Sequence, residues 1–182
     1  MEHVDRTTLA AIAFALTIAD CQPALCADTA DFSKGVTFQS DIVVDFGINP
    51  DKKAFTAIFA GLEAKIVTKS SPPIVTRTYS FVMPLSGVKP TTAFPIYLQG
   101  YIFNQQGANG HLIFTVNDQT TVADFTEPSD RSFLQQIDFK PGTASDLRVT
   151  IVLIADRDSA TDAAVNLSVT AVDSDTEKHK KK

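Results

Sequence analysis

The segment FLQQIDF at residues 133–139 alternates bulky apolar side chains with polar ones. Phe133, Ile137 and Phe139 fall on one side of an extended chain, while Leu134 and Asp138 fall on the other. Successive side chains of a β-strand point to opposite faces of the sheet, so this period of two predicts a strand with one buried face.

The segment LRVTIVLI at residues 147–154 shows the same alternation and becomes apolar on both sides towards its end. The pattern continues along the chain from Val36, in residues 41–46, 55–59, 62–67, 74–83, 94–103, 111–116, 120–125 and 165–172. Together these segments predict about nine strands at the spacing typical of sandwiches and barrels. No segment shows the 3.6-residue period of a convincing helix.

The connections between these segments are short and rich in turn-forming residues. Residues 105–110, which contain Gly107 and Asn109-Gly110, are a strong turn signal, and Asn117-Asp118 is predicted to form a second tight turn. Because short connections favour antiparallel neighbours, the sequence predicts an all-β fold: a two-sheet antiparallel β-sandwich, either jelly-roll or immunoglobulin-like.

The composition limits the classes of function. A chain of 182 residues suits one domain and is long enough to bury a core without disulfides. Its 44% hydrophobic and 20% charged residues are typical of globular domains. A net charge of −5 argues against nucleic acid as a partner, because such binding needs a broad basic surface. No apolar run of the expected mature chain is long enough for a membrane span.

The N-terminal residues indicate a signal peptide for export. Residues 9–18 read LAAIAFALTI, a stretch long enough for a signal peptide and too short for a spanning helix. Cleavage after Ala27 would place Leu25 and Ala27 at the positions where small or aliphatic residues are preferred. We therefore expect a secreted or periplasmic protein; the alternative is that this stretch forms a short helix of the folded domain.

Both cysteines, Cys21 and Cys26, lie within the predicted signal peptide. Removal of residues 1–27 would leave a chain with no disulfide, no thiol nucleophile and no thiolate metal ligand. Asp20 precedes Cys21 where lipid attachment requires a small residue, which argues against a lipid anchor.

The chain then divides into three parts. Residues 28–172 are expected to form the β-sandwich domain that follows the signal peptide. Residues 173–182 are rich in charged residues and are predicted to form a disordered tail.

Catalytic residue types are scarce. His111 is the one histidine inside the expected domain, so a Ser-His-Asp triad would have to use it, but a polar residue after a turn needs no catalytic role. We assign no catalytic residue and expect a non-enzymatic module that binds a surface ligand, a glycan or another protein. Two alternatives stay open: a carboxylate-dependent hydrolase or its accessory domain, which needs two carboxylates across a cleft, and a self-assembling surface protein.

Asp156, Asp158 and Asp162 form the densest group of oxygen ligands. With backbone carbonyl groups they could share a calcium ion, the hard cation that prefers such oxygens. The segment has neither the glycine nor the closing glutamate of a helix-loop-helix calcium loop, so a solvated loop is the alternative. No other cofactor is expected.

Tyr97, Gln99 and Tyr101 alternate along one predicted strand. The period of two places all three side chains on the same face. Tyrosine rings offer flat apolar surfaces to sugar rings, and an amide can hydrogen-bond to hydroxyl groups. We therefore select these residues as the ligand-binding candidates, with a place in the core or at its rim as the alternative.

Overall fold

The computed structural model describes residues 31–32, 35–38, 42–67, 69–86 and 93–175. The predicted signal peptide and residues 176–182 lie outside this part of the chain. Twelve strands are described: β1 (Asp31–Phe32), β2 (Thr37–Phe38), β3 (Val43–Ile48), β4 (Ala54–Ala60), β5 (Glu63–Ile66), β6 (Ile74–Ser86), β7 (Phe94–Asn104), β8 (Ala108–Val116), β9 (Gln119–Phe125), β10 (Ser129–Phe139), β11 (Asp146–Arg157) and β12 (Val165–Asp175). Within these residues no helix is long and apolar enough to cross a membrane.

The strands form two antiparallel sheets. The first has the order β1-β6-β11-β8-β9, with β2 also paired to β6. The second has the order β10-β7-β12-β4-β3, with β5 also paired to β12. The predicted all-β, two-sheet antiparallel sandwich is confirmed.

The core lies between the two sheets, where alternate residues of β4, β8 and β11 are buried. Every second residue of β8 is buried, from Ala108 to Val116. At one end of the core, phenylalanines pack edge to face, with Phe32 4.9 Å from Phe55 and 5.7 Å from Phe94 between ring centroids. This is the geometry that the quadrupoles of aromatic rings favour.

The alternation predicted for residues 133–139 is confirmed in its main part. Ile137 and Phe139 are buried, whereas Leu134 on the opposite side is 58% exposed. The large apolar Leu134 therefore lies on the outer surface of the second sheet.

The turn predicted within residues 105–110 forms at the start of that segment, and its predicted extension over Asn109-Gly110 is wrong. Both residues lie inside β8 and pair with Asp156 and Ala155 of β11. The chain turns earlier, where Gly107 takes a φ of +87° that favours glycine. The side chain of Asn109 donates a hydrogen bond to Asp156 Oδ1 at 2.9 Å, which stabilises the strand instead.

Two strand ends differ from the prediction. β11 continues to Arg157, so Asp156 belongs to a strand and not to a loop. β12 continues to Asp175, three residues beyond the predicted end at Val172. The polar residues of both extensions continue to pair through their backbones with a neighbouring strand. This pairing joins residues that are far apart in sequence, so the polarity of the local sequence does not reveal it.

Candidate functional site

β7 lies inside the second sheet, between β10 and β12. Its core-facing residues are Ile96, Leu98, Gly100 and Ile102, all buried. Tyr97, Gln99 and Tyr101 therefore lie on the outer face, with the two tyrosines partly buried and Gln99 exposed. The structure brings the three predicted binding residues together on one surface.

The neighbouring strands extend this surface on both sides. From β10, Gln136, Leu134 and Ser132 lie opposite Tyr97, Gln99 and Tyr101, respectively. From β12, Asp173, Ala171 and Ser168 lie opposite the same three residues. We call these nine residues the tyrosine face.

Hydrogen bonds orient the polar groups of the tyrosine face. Gln99 Nε2 donates to Asp173 Oδ2 at 2.9 Å. The Tyr101 hydroxyl donates to Asp130, and this hydrogen bond raises the pKa of Tyr101. Gln136 Nε2 donates to Asp138 Oδ1 at 2.6 Å. Side chains held in this way lose less freedom when a ligand binds.

The apolar groups on this side of the sheet are exposed. Leu134 lies opposite Gln99, between the positions of Tyr97 and Tyr101 along β7. Ile58 on β4 lies opposite Ala171 and is 51% exposed. Tyr97 and Tyr101 are four residues apart, or about 14 Å at the rise of an antiparallel strand. A ligand that contacts both rings must therefore be extended. Aromatic and aliphatic surface between amide and carboxylate groups suits a chain that carries many hydroxyls.

Sequence reasoning missed two members of this surface. The sequence pattern places Leu134 on the outward side of its strand without indicating a role, and the polarity of residues 173–182 predicts that Asp173 lies in a disordered tail. The alternation within residues 133–139 could have identified Leu134 as an exposed large apolar residue. No local signal could have identified Asp173, because its place beside Gln99 depends on the pairing of β12 with β7.

His111 lies on the outer face of the other sheet, between two carboxylates. Its Nδ1 is 2.7 Å from Asp124 Oδ1 on β9, and its Nε2 is 2.8 Å from Asp156 Oδ2 on β11. The hydrogen bond with Asp124 raises the pKa of His111 most; partial burial opposes it, and Asp156 raises it further. With both ring nitrogens engaged by carboxylates, the imidazolium form joins three strands.

We expect replacement of His111 by glutamine to destabilise the domain more at pH 5.5 than at pH 8.5. Because the pKa of His111 is higher in the folded than in the unfolded protein, protonation of this ring stabilises the fold. This stabilisation is complete below the unfolded-state pKa of 6.5 and is lost as pH rises through the folded-state pKa. At pH 5.5 the substitution should lower the free energy of unfolding by about 1 kcal/mol. The effect is this small because the imidazole is partly exposed and solvent screens its charge. Urea unfolding of both proteins across this pH range measures the difference.

The control for this prediction is the titration of His111 itself, followed by NMR of its ring protons. A difference in unfolding free energy that stays constant with pH would contradict the interpretation. So would a His111 that titrates at or below 6.5 in the folded protein.

The three predicted calcium ligands have separate partners. Asp156 bonds to Asn109 and His111 on the sheet, whereas Asp158 Oδ1 accepts a hydrogen bond from the backbone of Ala160 at 2.9 Å. Asp162 lies 3.9 Å from Lys69 Nζ. Among the residues that the structure describes, no group of three or more His, Cys, Asp or Glu side chains could hold a metal ion. The calcium prediction therefore gains no support from this arrangement.

Three of the cavities on the described surface bear on hydrolase chemistry. One of about 490 Å³ lies between the β8–β9 turn and the β10–β11 connection, and Asp118 is the one carboxylate in its lining. The other two, of about 290 and 360 Å³, lie beside β3 and contain no carboxylate. None of the three holds the carboxylate pair that a glycoside hydrolase requires.

No protein-family model and no curated protein matches this sequence. Among solved structures, the chain is similar to TmCBM61 in complex with β-1,4-galactotriose, at 8% identity and a TM-score of 0.36, over 78% of this chain and 89% of that one. It is similar to the enzymatically active domain of tailspike protein 4 of bacteriophage CBA120, at 8% identity and a TM-score of 0.34, over 79% of this chain and 19% of that one. It is also similar to the family 11 carbohydrate-binding module of the cellulase Lic26A-Cel5E of Clostridium thermocellum, at 12% identity and a TM-score of 0.22, over 77% of this chain and 85% of that one. Similarity of this degree does not assign the chain to a family.

Proposed function

We propose that this protein is an exported, non-enzymatic module that binds an extended polysaccharide on the tyrosine face. The observation that carries the proposal is the alignment of Tyr97, Gln99 and Tyr101 on one surface, beside the exposed Leu134. A sugar chain laid along β7 would place the apolar faces of its rings on the tyrosines. Its hydroxyl groups would hydrogen-bond to Gln99 and to neighbouring carboxylates.

The polar groups of this face favour a hydroxyl-rich chain over an apolar partner. An apolar protein surface placed here would bury the carboxylate of Asp173 and the amide of Gln136, at a cost in desolvation. Hydroxyl groups can both donate to carboxylates and accept from amides, so a sugar chain leaves these groups paired.

Export fits this function, because polysaccharides of this extended kind occur mainly outside cells. The supporting feature is the apolar stretch at residues 9–18, with its cleavage pattern at Ala27. N-terminal sequencing of the protein recovered from its native source would test the export step independently of binding.

Two matched substitutions test the location of the binding surface. Leu134 is 58% exposed on the tyrosine face, and Ile74 is 61% exposed on the outer face of the other sheet. We expect Leu134→Ala to weaken binding about tenfold, through the loss of buried apolar area, and Ile74→Ala to leave it unchanged. Affinity electrophoresis of the full chain measures the binding of both variants. The gels contain galactan, xylan, hydroxyethylcellulose or glycol chitin.

The proposal fails if the chain migrates normally in all four polysaccharides. It also fails if Ile74→Ala weakens binding as much as Leu134→Ala does, because the ligand would then lie elsewhere. Thermal unfolding of both variants serves as the control that each remains folded.

A further inference from the structure

The charged side chains at the outer positions of β10, β7 and β12 that the structure describes are all carboxylates. Asp130 and Asp138 lie on outer positions of β10, one on each side of Leu134 along the strand. Their hydrogen-bond donors are the neutral Tyr101 and Gln136. The surface therefore presents carboxylates that its own hydrogen-bonding groups orient but do not neutralise.

Two exposed cations lie beside these outer positions in the part of the chain that the structure describes. Arg131 is at a core-facing position of β10, opposite Ile102, and Lys140 follows the end of that strand. The outer positions of β10, β7 and β12 contain neither lysine nor arginine. The first lysine reached across the sheet is Lys65 on β5, which pairs with Asn166 of β12 beyond the row of Tyr101. A ligand that follows β7 between Tyr97 and Tyr101 would therefore lie beside outward-facing carboxylates and beside no outward-facing cation of β10, β7 or β12.

From this arrangement, and resting on the proposed function, we infer that the tyrosine face selects polysaccharides by charge. It binds uncharged and amino-bearing chains, and it rejects chains that carry carboxylate or sulfate groups. An acidic sugar chain would place its anions near Asp130 and Asp138, within the screening distance of about 10 Å at 0.1 M salt. An ammonium group on the chain would be attracted by the same carboxylates.

Two pairs of polymers with matched backbones test the inference in affinity electrophoresis at low salt. Hydroxyethylcellulose is compared with carboxymethylcellulose, and glycol chitin with glycol chitosan. We expect the carboxymethyl polymer to bind about tenfold more weakly than its neutral counterpart, and glycol chitosan at least as tightly as glycol chitin. In 0.5 M NaCl the differences should shrink, because salt screens exposed charges.

Two substitutions that each remove one negative charge test where the discrimination between polymers arises. Asp138→Asn should reduce the discrimination between neutral and acidic polymers, whereas Asp118→Asn, at the β8–β9 turn of the other sheet, should leave it unchanged. Asp130→Asn serves as the second variant on the face, because asparagine can still accept the hydrogen bond from Tyr101.

The outcomes separate this inference from the proposed function. Neutral polymers that bind no more tightly than their acidic counterparts would overturn charge selection and leave the binding proposal intact. Equal effects of Asp138→Asn and Asp118→Asn would overturn it as well. Failure of every polymer to bind would overturn the proposed function and the inference together.

Discussion

Replacement of Gly100 by alanine is expected to lower the free energy of unfolding by about 3 kcal/mol. Gly100 lies on the core-facing side of β7, opposite Phe133 of β10 and Val169 of β12. A Cβ atom added here would lie 2.3 Å from Phe133 Cζ and 2.4 Å from the backbone oxygen of Ser168. The phenylalanine ring could rotate away, but the backbone oxygen could move only if β12 moved with it.

The matched control is Gly47→Ala, in β3 at the edge of the same sheet. A Cβ atom at Gly47 would meet nothing within 4 Å, and its backbone conformation is ordinary for any residue. We expect this variant to change stability by less than about 1 kcal/mol, in the stabilising direction, because alanine loses less backbone entropy on folding. Urea unfolding of both variants measures the contrast, and similar stabilities would contradict the close packing of β7 against β12.

The second large effect concerns binding. We expect the double variant Tyr97→Ala/Tyr101→Ala to lose about a hundredfold in affinity for any polysaccharide that the wild-type chain binds. Buried aromatic anchors dominate the energy of many binding sites, and these two rings are the aromatic groups among the nine residues of the tyrosine face. Both rings lie on the outer side of the sheet, so their loss should leave the core intact.

A conservative double variant separates stacking from hydrogen bonding. Tyr97→Phe/Tyr101→Phe keeps both rings and removes both hydroxyl groups, including the one that donates to Asp130. We expect it to retain most of the affinity, because the rings supply the apolar contact area. Isothermal titration calorimetry with the tightest-binding polymer measures both variants. An alanine variant that binds like the wild type would place the ligand elsewhere.

The sequence predicts the class of fold and part of the candidate site for a local reason. A period of two fixes which residues of one strand share a face, so Tyr97, Gln99 and Tyr101 could be grouped without knowledge of any other strand. The same reasoning places Leu134 on an outer face. These statements depend on residues that are close in sequence.

The pairing between strands could not be predicted, because it depends on residues that are far apart. Asp173 lies 74 residues from Gln99, yet it accepts the hydrogen bond of that side chain. The local sequence predicts a polar loop at Asp156, and only the register of β11 against β8 shows that this residue faces Asn109 and His111. The two-residue strands β1 and β2 are too short for any periodicity to show.

The most direct test of the account is NMR mapping of the binding surface on the isotopically labelled full chain. The probes are cellohexaose, xylohexaose, β-1,4-galactohexaose and N-acetylchitohexaose, each added in increasing amounts. The account predicts that at least one of them shifts the backbone amides of Tyr97, Gln99 and Tyr101 and those of Leu134 and Ala171 opposite them. Shifts confined to the loops at the ends of the sandwich or to the outer face of the sheet with His111, or no shift with any probe, would contradict it.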